Sequence, residues 1–387
     1  MARARRSQTR RRRDRSDDDL EGPTDCWVSY GGELIWAVGY TSGGAPYGLS
    51  ADQMRQVEEE EDREMAKRFE QAGSTPAWFE VRTLLETTFR ALLTPRTSVT
   101  VGHSTPLGRG LSRRQFAAKV DLSPDPARLS DTYVVGLPLA GADRRLEERA
   151  ATELAILERL ATLALSFRVP RVIRSEMGAA CTASIRTFVP GIELDLRAGR
   201  QTRVKPWLVV GELAAAVHQL PTELLRGCLP GCASREDFAA RQVESLDRGR
   251  DHPDVARAIA WARVSKPAAG AATVIHGDLL GQNILLSPAE APALIDWEYC
   301  MVGDPAYDLA IVTRSARRPF QIDRGLDRLL EAYRNAGGAL IAARDVHFYE
   351  VCIAAGWVCD AMASGDEAKT KHAAGPLQSL LRRVGAA

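Results

Sequence analysis

The sequence predicts an α+β protein of two lobes, in which a small antiparallel sheet precedes a larger and mainly helical lobe. Three short stretches rich in β-branched or apolar residues are typical of strands: 97–101, 115–122 and 131–139. An amphipathic helix follows them, and after the break at Pro190 and Gly191 the apolar spacing is mostly helical. We therefore assign residues 96–190 to the first lobe and 191–387 to the second.

The segment before the first lobe divides at residue 22. Residues 2–15 contain eight arginines, which predicts a solvated tail over 1–22, with a nucleic-acid-binding arm as the alternative. Residues 23–95 are interpreted as an accessory segment in which no catalytic motif stands out. Its predicted elements are a hairpin at 27–40 and helices at 51–72 and 77–93.

The remaining elements complete the two lobes. The helix of the first lobe carries an apolar stripe at steps of three and four: Leu146, Ala150, Leu154, Leu157 and Leu160. Two further strands are expected around 171–174 and 184–189. The second lobe is expected to hold one strand pair at 283–296 and helices at 207–220, within 236–263, and at 323–336, 345–363 and 376–384.

Composition argues against several classes of function. The 387 residues are 45% hydrophobic and 26% charged, as in ordinary globular proteins. The net charge of +1 argues against a general nucleic-acid binder, so no nucleic-acid partner is expected apart from the Arg-rich tail. No apolar run approaches the roughly 18 residues of a membrane span, so no membrane partner is expected. Seven scattered cysteines, an odd number, are typical of reduced thiols and predict a cytoplasmic protein.

The stretch with the most chemistry runs from His276 to Asp296. Two apolar runs of four residues flank a polar turn at 287–292, which is the signature of a β-hairpin. If residue 286 pairs with residue 293, Asn283 lies opposite Asp296, with Cβ atoms about 4.5–5.5 Å apart. An amide oxygen and a carboxylate suit Mg²⁺, whose other positions take water and phosphate oxygens. The strand pair therefore predicts a magnesium site.

Asp278 lies on the loop that enters this hairpin, five residues before Asn283. There a carboxylate can accept the proton of an attacking hydroxyl and orient that hydroxyl in line with phosphorus. Gly277 allows a tight bend, and His276 is expected to brace the backbone rather than to react. The alternative is that the aspartates only cap strands or form turns. Against it, Asp278 and Asp296 come shortly after apolar runs, where an unpaired buried charge is unfavourable and a cation would offset it.

The pattern H-G-D-x-x-x-x-N followed by I-D-W-E is similar to the signature of the aminoglycoside phosphotransferase and choline kinase families, small-molecule relatives of the protein kinases. The resemblance covers about residues 97–365. It implies a protein kinase-like fold, ATP and Mg²⁺ as cofactors, and transfer of the γ-phosphate to a hydroxyl of a small molecule. By this resemblance Asp278 matches the catalytic base, and Asn283 and Asp296 match the metal ligands. Asp308, in G-D-P-A-Y-D-L-A, would be a structural acid that braces the catalytic loop.

The first lobe departs from the family at the nucleotide site. Gly108 and Gly110 lie where the resemblance implies a loose phosphate-covering loop, and a simple turn is the alternative. Glu153 resembles the helix glutamate that pairs with a lysine on the third strand, but Gly136 stands at the position of that lysine. We expect Lys119, on the second strand, to reach across the space that the glycine leaves. The alternative is that Lys119 is an ordinary edge-strand charge.

The hinge and the acceptor site are less well marked. Phe188 and Val189 would lie between the lobes, where backbone groups could meet the adenine. Residues 305–387 hold nine acidic and eleven basic side chains, so the acidic surface expected for a polycationic aminoglycoside is missing. Aromatic faces attract a quaternary ammonium, although core packing is the favoured interpretation of these aromatics. Sugar, amino alcohol and antibiotic acceptors stay open, and the candidate acceptor contacts are Glu298, Tyr349 and Trp357.

Two functions remain open, a phosphotransferase and a pseudokinase that binds nucleotide or acts as a scaffold. The missing third-strand lysine favours the pseudokinase. The intact set of Asp278, Asn283 and Asp296 favours the enzyme, which we take as the prediction. A metal-dependent hydrolase fits poorly because the six histidines are scattered along the chain.

Overall fold

The structure is a computed structural model that describes most of the chain. The described residues are 26–30, 33–40, 46–50, 77–109, 113–125, 127–138, 144–178, 181–197, 204–223, 225, 227–229, 231–314 and 318–386. The chain divides into two compact units, residues 1–80 and residues 81–387. Each unit is described by itself.

The first unit contains a three-stranded antiparallel sheet. Its order is β1-β2-β3, formed by β1 (Cys26–Tyr30), β2 (Glu33–Tyr40) and β3 (Pro46–Ser50). Trp27 pairs with Trp36, so the predicted hairpin is confirmed. The third strand was not predicted, and the helix predicted at 51–72 lies outside the described residues.

The second unit begins with a five-stranded antiparallel sheet. Its order is β4-β5-β6-β8-β7, and all neighbouring strands are antiparallel. The strands fall where the β-branched runs predict them, but the first two are longer than expected. Their bounds are β4 (Ser98–Arg109), β5 (Arg113–Ser123), β6 (Asp131–Pro138), β7 (Val172–Gly178) and β8 (Cys181–Thr187).

Helix α1 (Ala77–Leu92) packs against this sheet from Val81 onwards. Val81, Leu85 and Phe89 recur at every fourth position and are fully buried, so they form one apolar stripe. The Phe89 ring lies 4.8 Å from the ring of Tyr133 on β6. This part of α1 therefore belongs with the sheet, whereas the sequence-based boundary at residue 95 places it in the accessory segment.

Helix α2 (Arg144–Leu160) follows β6 and carries the predicted apolar stripe. Ala150, Leu154, Leu157 and Leu160 are all buried. The stripe thus sets the rotation of the helix, and with it the direction in which Glu153 points.

The larger lobe is mainly helical, as predicted. Its helices are α3 (Pro206–His218), α4 (Arg235–Glu244), α5 (Pro253–Val264), α6 (Pro305–Thr313), α7 (Gly325–Asn335), α8 (Ala343–Ala363) and α9 (Glu367–Arg383). Helix α6 was missed, although its signals are present: Asp304 caps it and Pro305 is its first residue. Helix α9 begins before the predicted start because Pro376 is tolerated inside it. Among the helices described, each is too short or too polar to span a bilayer.

Two small sets of strands frame the segment rich in chemistry. One contains β9 (Ile192–Glu193), β11 (Ile284–Leu286) and β12 (Ala293–Leu294), in the order β12-β11-β9. The other pairs β10 (Thr273–Ile275) with β13 (Met301–Gly303). Trp297, in the segment that joins β12 to β13, is buried, and its ring stacks on Phe167 at 6.1 Å. The loops that leave β10 and β12 are thereby held on one large apolar core.

Candidate active site

The β11–β12 hairpin is confirmed, but its predicted register is wrong by one residue. Ile284 pairs with Leu294, and the Ile295 N–H donates to the Asn283 carbonyl at 3.0 Å. Ile295, and not Asp296, therefore lies opposite Asn283. The turn therefore spans residues 286–292 and is one residue longer than predicted, and Leu286 pairs with Ile192 of β9 on the other edge of β11.

The backbone of Asp296 leaves the strand conformation altogether. Its φ is +66°, in the left-handed region that aspartate tolerates better than most residues. The alternation of side chains along a strand therefore no longer decides where its carboxylate points. Burial, together with the negative charges of Glu153, Glu298 and Asp278, raises the pKa of Asp296 to about 7. Asp296 and Asp278 thus share one electrostatic site in spite of the register.

Asn283 is buried beside Asp278 and holds it in place. Its amide nitrogen donates to the Asp278 carbonyl at 2.8 Å and to Asp278 Oδ2 at 2.9 Å. Both bonds use the amide nitrogen, so Oδ1 is the atom that Asn283 can offer to a cation. The second carboxylate oxygen of Asp278 can then receive a proton while Oδ2 is fixed.

The loop before Asp278 is held by the buried carboxylate of Asp308. The backbone N–H groups of His276 and Gly277 each donate to it at 2.8 Å. Gly277 has a φ of +79°, and a Cβ there would lie 2.1 Å from the Tyr299 carbonyl oxygen. Only glycine fits this bend, and the bend sets the position of Asp278.

Asp308 is further held by His218, which Tyr333 contacts in turn, and neither residue was predicted from the sequence. His218 Nε2 lies 3.1 Å from Asp308 Oδ2, and His218 Nδ1 lies 2.9 Å from the Tyr333 hydroxyl. Burial by itself would raise the pKa of Asp308, but the hydrogen bonds that it accepts from His218 and from the His276 backbone outweigh burial, and the pKa is lowered. Asp308 is therefore an ionised anchor for the loop at neutral pH.

The imidazole of His276 is fully buried and ties the loop to the hairpin. Its Nε2 lies 3.1 Å from the Ile295 carbonyl, and its Nδ1 lies 3.4 Å from the Asp278 backbone nitrogen. Burial lowers the pKa of His276, so the ring is neutral, donates through Nε2 and accepts through Nδ1. These contacts leave no nitrogen of the ring for proton transfer to a substrate.

The donor set fits a magnesium ion of the kind that nucleotides bring with them. Among the described residues no group of three or more His, Cys, Asp or Glu could hold a metal ion. Asn283 Oδ1 and the carboxylate of Asp296 are two hard oxygens, and Mg²⁺ typically takes one or two protein oxygens and fills its other positions with water and phosphate. Burial and the neighbouring carboxylates together raise the pKa of Asp296, and a bound cation would favour its ionised form.

On the first lobe, Glu153 has a different partner from the predicted one. It accepts from Arg186 on β8 at 2.7 Å, and both side chains are buried. The prediction that Lys119 fills the space at Gly136 is wrong. Lys119 is exposed and pairs with Asp121 at 3.0 Å. Lys119 opposes Thr132 whereas Gly136 opposes Gln115, a separation of about 13 Å along the strand.

The space at Gly136 is occupied by Arg113, whose Cδ lies 3.2 Å from where a Cβ would stand. Arg186 could have been identified from the sequence, since it is a charge in an otherwise uncharged strand, on the same face as Ser184. Arg113 had no comparable signal, because only the strand register places it near Gly136.

The predicted loop and hinge positions are only partly described. Strand β4 continues through Gly108, and Gly110 lies outside the described residues. The Phe188 N–H donates to the Thr132 carbonyl at 3.0 Å, so that N–H is not available to a nucleotide base. Val189 follows it at the crossing between the lobes.

The candidate acceptor residues have different environments. Tyr349 is fully buried and its hydroxyl donates to Asp304 at 2.9 Å, so the prediction that it contacts an acceptor is wrong. The same carboxylate pairs with the buried Arg235 at 2.8 Å, so the Tyr349 hydroxyl belongs to a buried polar cluster. Trp357 is 38% exposed on α8. Glu298 is half-buried beside Asp296 and adds to the negative charge there.

Comparison with known proteins places this geometry in a family. The sequence matches the profile of the phosphotransferase enzyme family over residues 104–347, more than half of the chain. The fold is similar to that of macrolide 2'-phosphotransferase MphH from Brachybacterium faecium, with a TM-score of 0.53, 22% identity, and coverage of 71% of this chain and 91% of that one. It is also similar to the GDP and kanamycin complex of APH(2")-IIIa, with a TM-score of 0.55, 14% identity, and coverage of 79% and 99%.

One curated protein, acyl-CoA dehydrogenase family member 10 of Mus musculus, is 26% identical over 130 residues. These residues are 32% of this chain and 11% of that protein, so the chain spans about a tenth of the length of this relative. The likeness to the solved structures supports a protein kinase-like fold of two lobes. The family profile extends from the sheet to α8 and includes Asp278, Asn283, Asp296 and Asp308. This chain is a member of the phosphotransferase enzyme family.

Proposed function

We propose that this enzyme transfers the γ-phosphate of ATP to a hydroxyl of a small molecule, with Mg²⁺ held by Asn283 and Asp296. The observation that carries the proposal is the clamp between Asn283 and Asp278, next to a carboxylate whose pKa is raised to about 7. Nucleotide use is further supported by the GDP bound in the similar structure of APH(2")-IIIa.

In this proposal Asp278 binds the acceptor hydroxyl through its free carboxylate oxygen. As the acceptor oxygen forms a bond to the γ-phosphorus, the bond to the bridging oxygen breaks and the hydroxyl proton passes to Asp278. Asn283 holds the other oxygen of that carboxylate, so the hydroxyl is presented in one orientation. When bound, Mg²⁺ would neutralise charge on the phosphate oxygens.

The acceptor is proposed to be an amino alcohol, a sugar or an aminoglycoside-like molecule. Because the similar structures are a macrolide phosphotransferase and a kanamycin complex, macrolides and kanamycin should also be tested as acceptors. The near balance of charge over residues 305–387 gives no preference for a polycation. The burial of Tyr349 removes one of the aromatic faces that favoured a quaternary ammonium.

A catalytically weak scaffold is the competing proposal, and its main support was the absent third-strand lysine. Arg113 fills the space at Gly136, and Arg186 forms the ion pair with Glu153. Two buried arginines therefore lie near the position of the absent lysine. The absence of that lysine no longer favours an inactive scaffold.

An acceptor screen tests the proposed function. Purified protein is incubated with Mg²⁺ and either ATP or GTP against macrolides, aminoglycosides, sugars and amino alcohols, and mass spectrometry detects the added phosphoryl group. We expect at least one class to be phosphorylated by wild type and not by Asp278→Asn. Nucleotide binding without any product across the panel would favour the scaffold.

A further inference from the structure

The space beside Gly136 is filled by a side chain from the neighbouring strand. A Cβ built on Gly136 would lie 2.9 Å from Ser184 Oγ, 3.2 Å from Arg113 Cδ and 3.4 Å from Arg113 Nη1. Gln115 and Ser184 are the cross-strand partners of Gly136, and Arg113 lies two residues before Gln115 on the same face of the sheet. A side chain at position 136 and the guanidinium of Arg113 therefore compete for one volume.

Arg113 is 3% exposed, yet its guanidinium is not fully bonded. Nη1 donates to Ser184 Oγ at 2.8 Å. Nη2 is buried and finds no acceptor among the described residues. A buried N–H without an acceptor is unfavourable, and native proteins retain such groups where a ligand or water completes them.

Two carboxylates that act on Asp296 also act on Arg113. Burial lowers the pKa of Arg113 to about 10, and the charges of Glu153 and Glu298 counteract that shift, so it stays cationic at neutral pH. The same two carboxylates act on Asp296. Arg113 is therefore near the carboxylates that surround the proposed metal position.

The neighbouring cation, Arg186, is already engaged. It donates to Glu153 at 2.7 Å and to Gln115 at 3.3 Å. In the family, one lysine is expected to pair with the helix glutamate and to contact the nucleotide. Here Arg186 pairs with Glu153, whereas Arg113 has an Nη2 group without an acceptor. A guanidinium is suited to phosphate because its planar donors match two oxygens at once.

We infer that Arg113 binds a phosphate of the nucleotide, from the second strand of the sheet, in the volume that Gly136 leaves open. The inference rests on the proposed use of a nucleoside triphosphate. It assigns to Arg113 a contact that the sequence analysis gave to Lys119. Gly136 is then a requirement of the site, because a larger residue would displace the guanidinium.

Calorimetric binding of Mg²⁺-ATP, Mg²⁺-GTP and adenosine tests the inference without need of an acceptor. For the triphosphate that wild type binds, we expect Arg113→Ala to weaken affinity about 10- to 100-fold, as for loss of hydrogen bonds to a charged group. Adenosine has no phosphate, so any adenosine affinity should be unchanged. Lys119→Ala removes an exposed cation from the same strand and should bind as wild type does.

A double variant that moves the cation to the neighbouring strand tests whether triphosphate affinity can be restored. In Arg113→Ala/Gly136→Lys the cation moves from the second strand to the third, and we expect triphosphate affinity to recover by about tenfold over Arg113→Ala. Should Arg113→Ala fail to fold, Arg113→Gln keeps a donor for Ser184 without the charge and is compared in its place.

Equal triphosphate affinity in wild type and the Arg113 variant would overturn the inference and leave the proposed function standing. Failure of wild type to bind either triphosphate would refute the proposed function, and the inference with it.

Discussion

Asp278→Asn is expected to lower turnover by about 10²- to 10⁴-fold, the usual contribution of a positioned general base. The amide oxygen of the new residue can still accept from the Asn283 amide, which now donates at 2.9 Å, so the loop should keep its shape. What is lost is the group that takes the proton of the acceptor hydroxyl. Nucleotide affinity should remain near that of wild type, because the substitution leaves Arg113, Asn283 and Asp296 in place.

Steady-state kinetics with an acceptor from the screen, together with calorimetric binding of the nucleotide, separate these effects. Asp360→Asn makes the same chemical change at an exposed carboxylate on α8, paired with Arg248, and should leave both quantities unchanged. A turnover within threefold of wild type would show that Asp278 is not the base.

Asp308→Ala is expected to lower the free energy of unfolding by about 2–6 kcal/mol. The carboxylate accepts from the N–H groups of His276 and Gly277, each at 2.8 Å. Each buried donor left without an acceptor is unfavourable by about 1–3 kcal/mol. His218, 3.1 Å from the carboxylate, also loses its partner. Because these bonds shape the loop that carries Asp278, turnover should fall together with stability.

Urea unfolding measures this effect, and Asp308→Asn, which keeps one acceptor, should fall between Ala and wild type. Asp327→Ala serves as the control, since that carboxylate is exposed and pairs only with a surface arginine, Arg324, in its described contacts. Wild-type stability in Asp308→Ala would mean that the loop is held by something else.

Much of the fold could be predicted because the patterns that specify it are local. The apolar stripe of α2 and the β-branched runs of the sheet each depend on neighbours a few residues away. The identity of Asp278, Asn283 and Asp296 as site candidates came from motif spacing, which is also local. The motif spacing predicted a phosphotransferase family, and the family profile that matches residues 104–347 confirms it.

The errors arose where distant residues decide the geometry. The hairpin pairs Leu285 with Ala293, one residue away from the predicted register. Strand β11 is also paired on its other edge, where Leu286 lies opposite Ile192, 94 positions earlier in the chain, and no local pattern reveals how such a central strand is aligned. The absence of the third-strand lysine at Gly136 was evident from the sequence, but Lys119 was wrongly predicted to replace it. Arg113 could be identified only from the strand register and from the volume that its side chain occupies.

The proposed function depends on Asn283 and Asp296 holding a cation together with the nucleotide, beside an Asp278 that keeps one carboxylate oxygen for the acceptor hydroxyl. Asp296→Asn tests this directly, because asparagine tolerates the left-handed backbone at position 296, where φ is +66°. It also removes a carboxylate that its neighbours repel, so a lower stability of the unliganded variant is not expected.

The decisive measurement is the thermal unfolding of wild type and Asp296→Asn with Mg²⁺, with ATP and with both. Ligand at a hundredfold excess over its Kd stabilises a protein by about 2.7 kcal/mol. We predict that wild type is stabilised to this degree only when both are present, and that Asp296→Asn loses that stabilisation. An equal shift in the two proteins, or a wild-type shift with ATP that is indifferent to Mg²⁺, would contradict the proposed metal site.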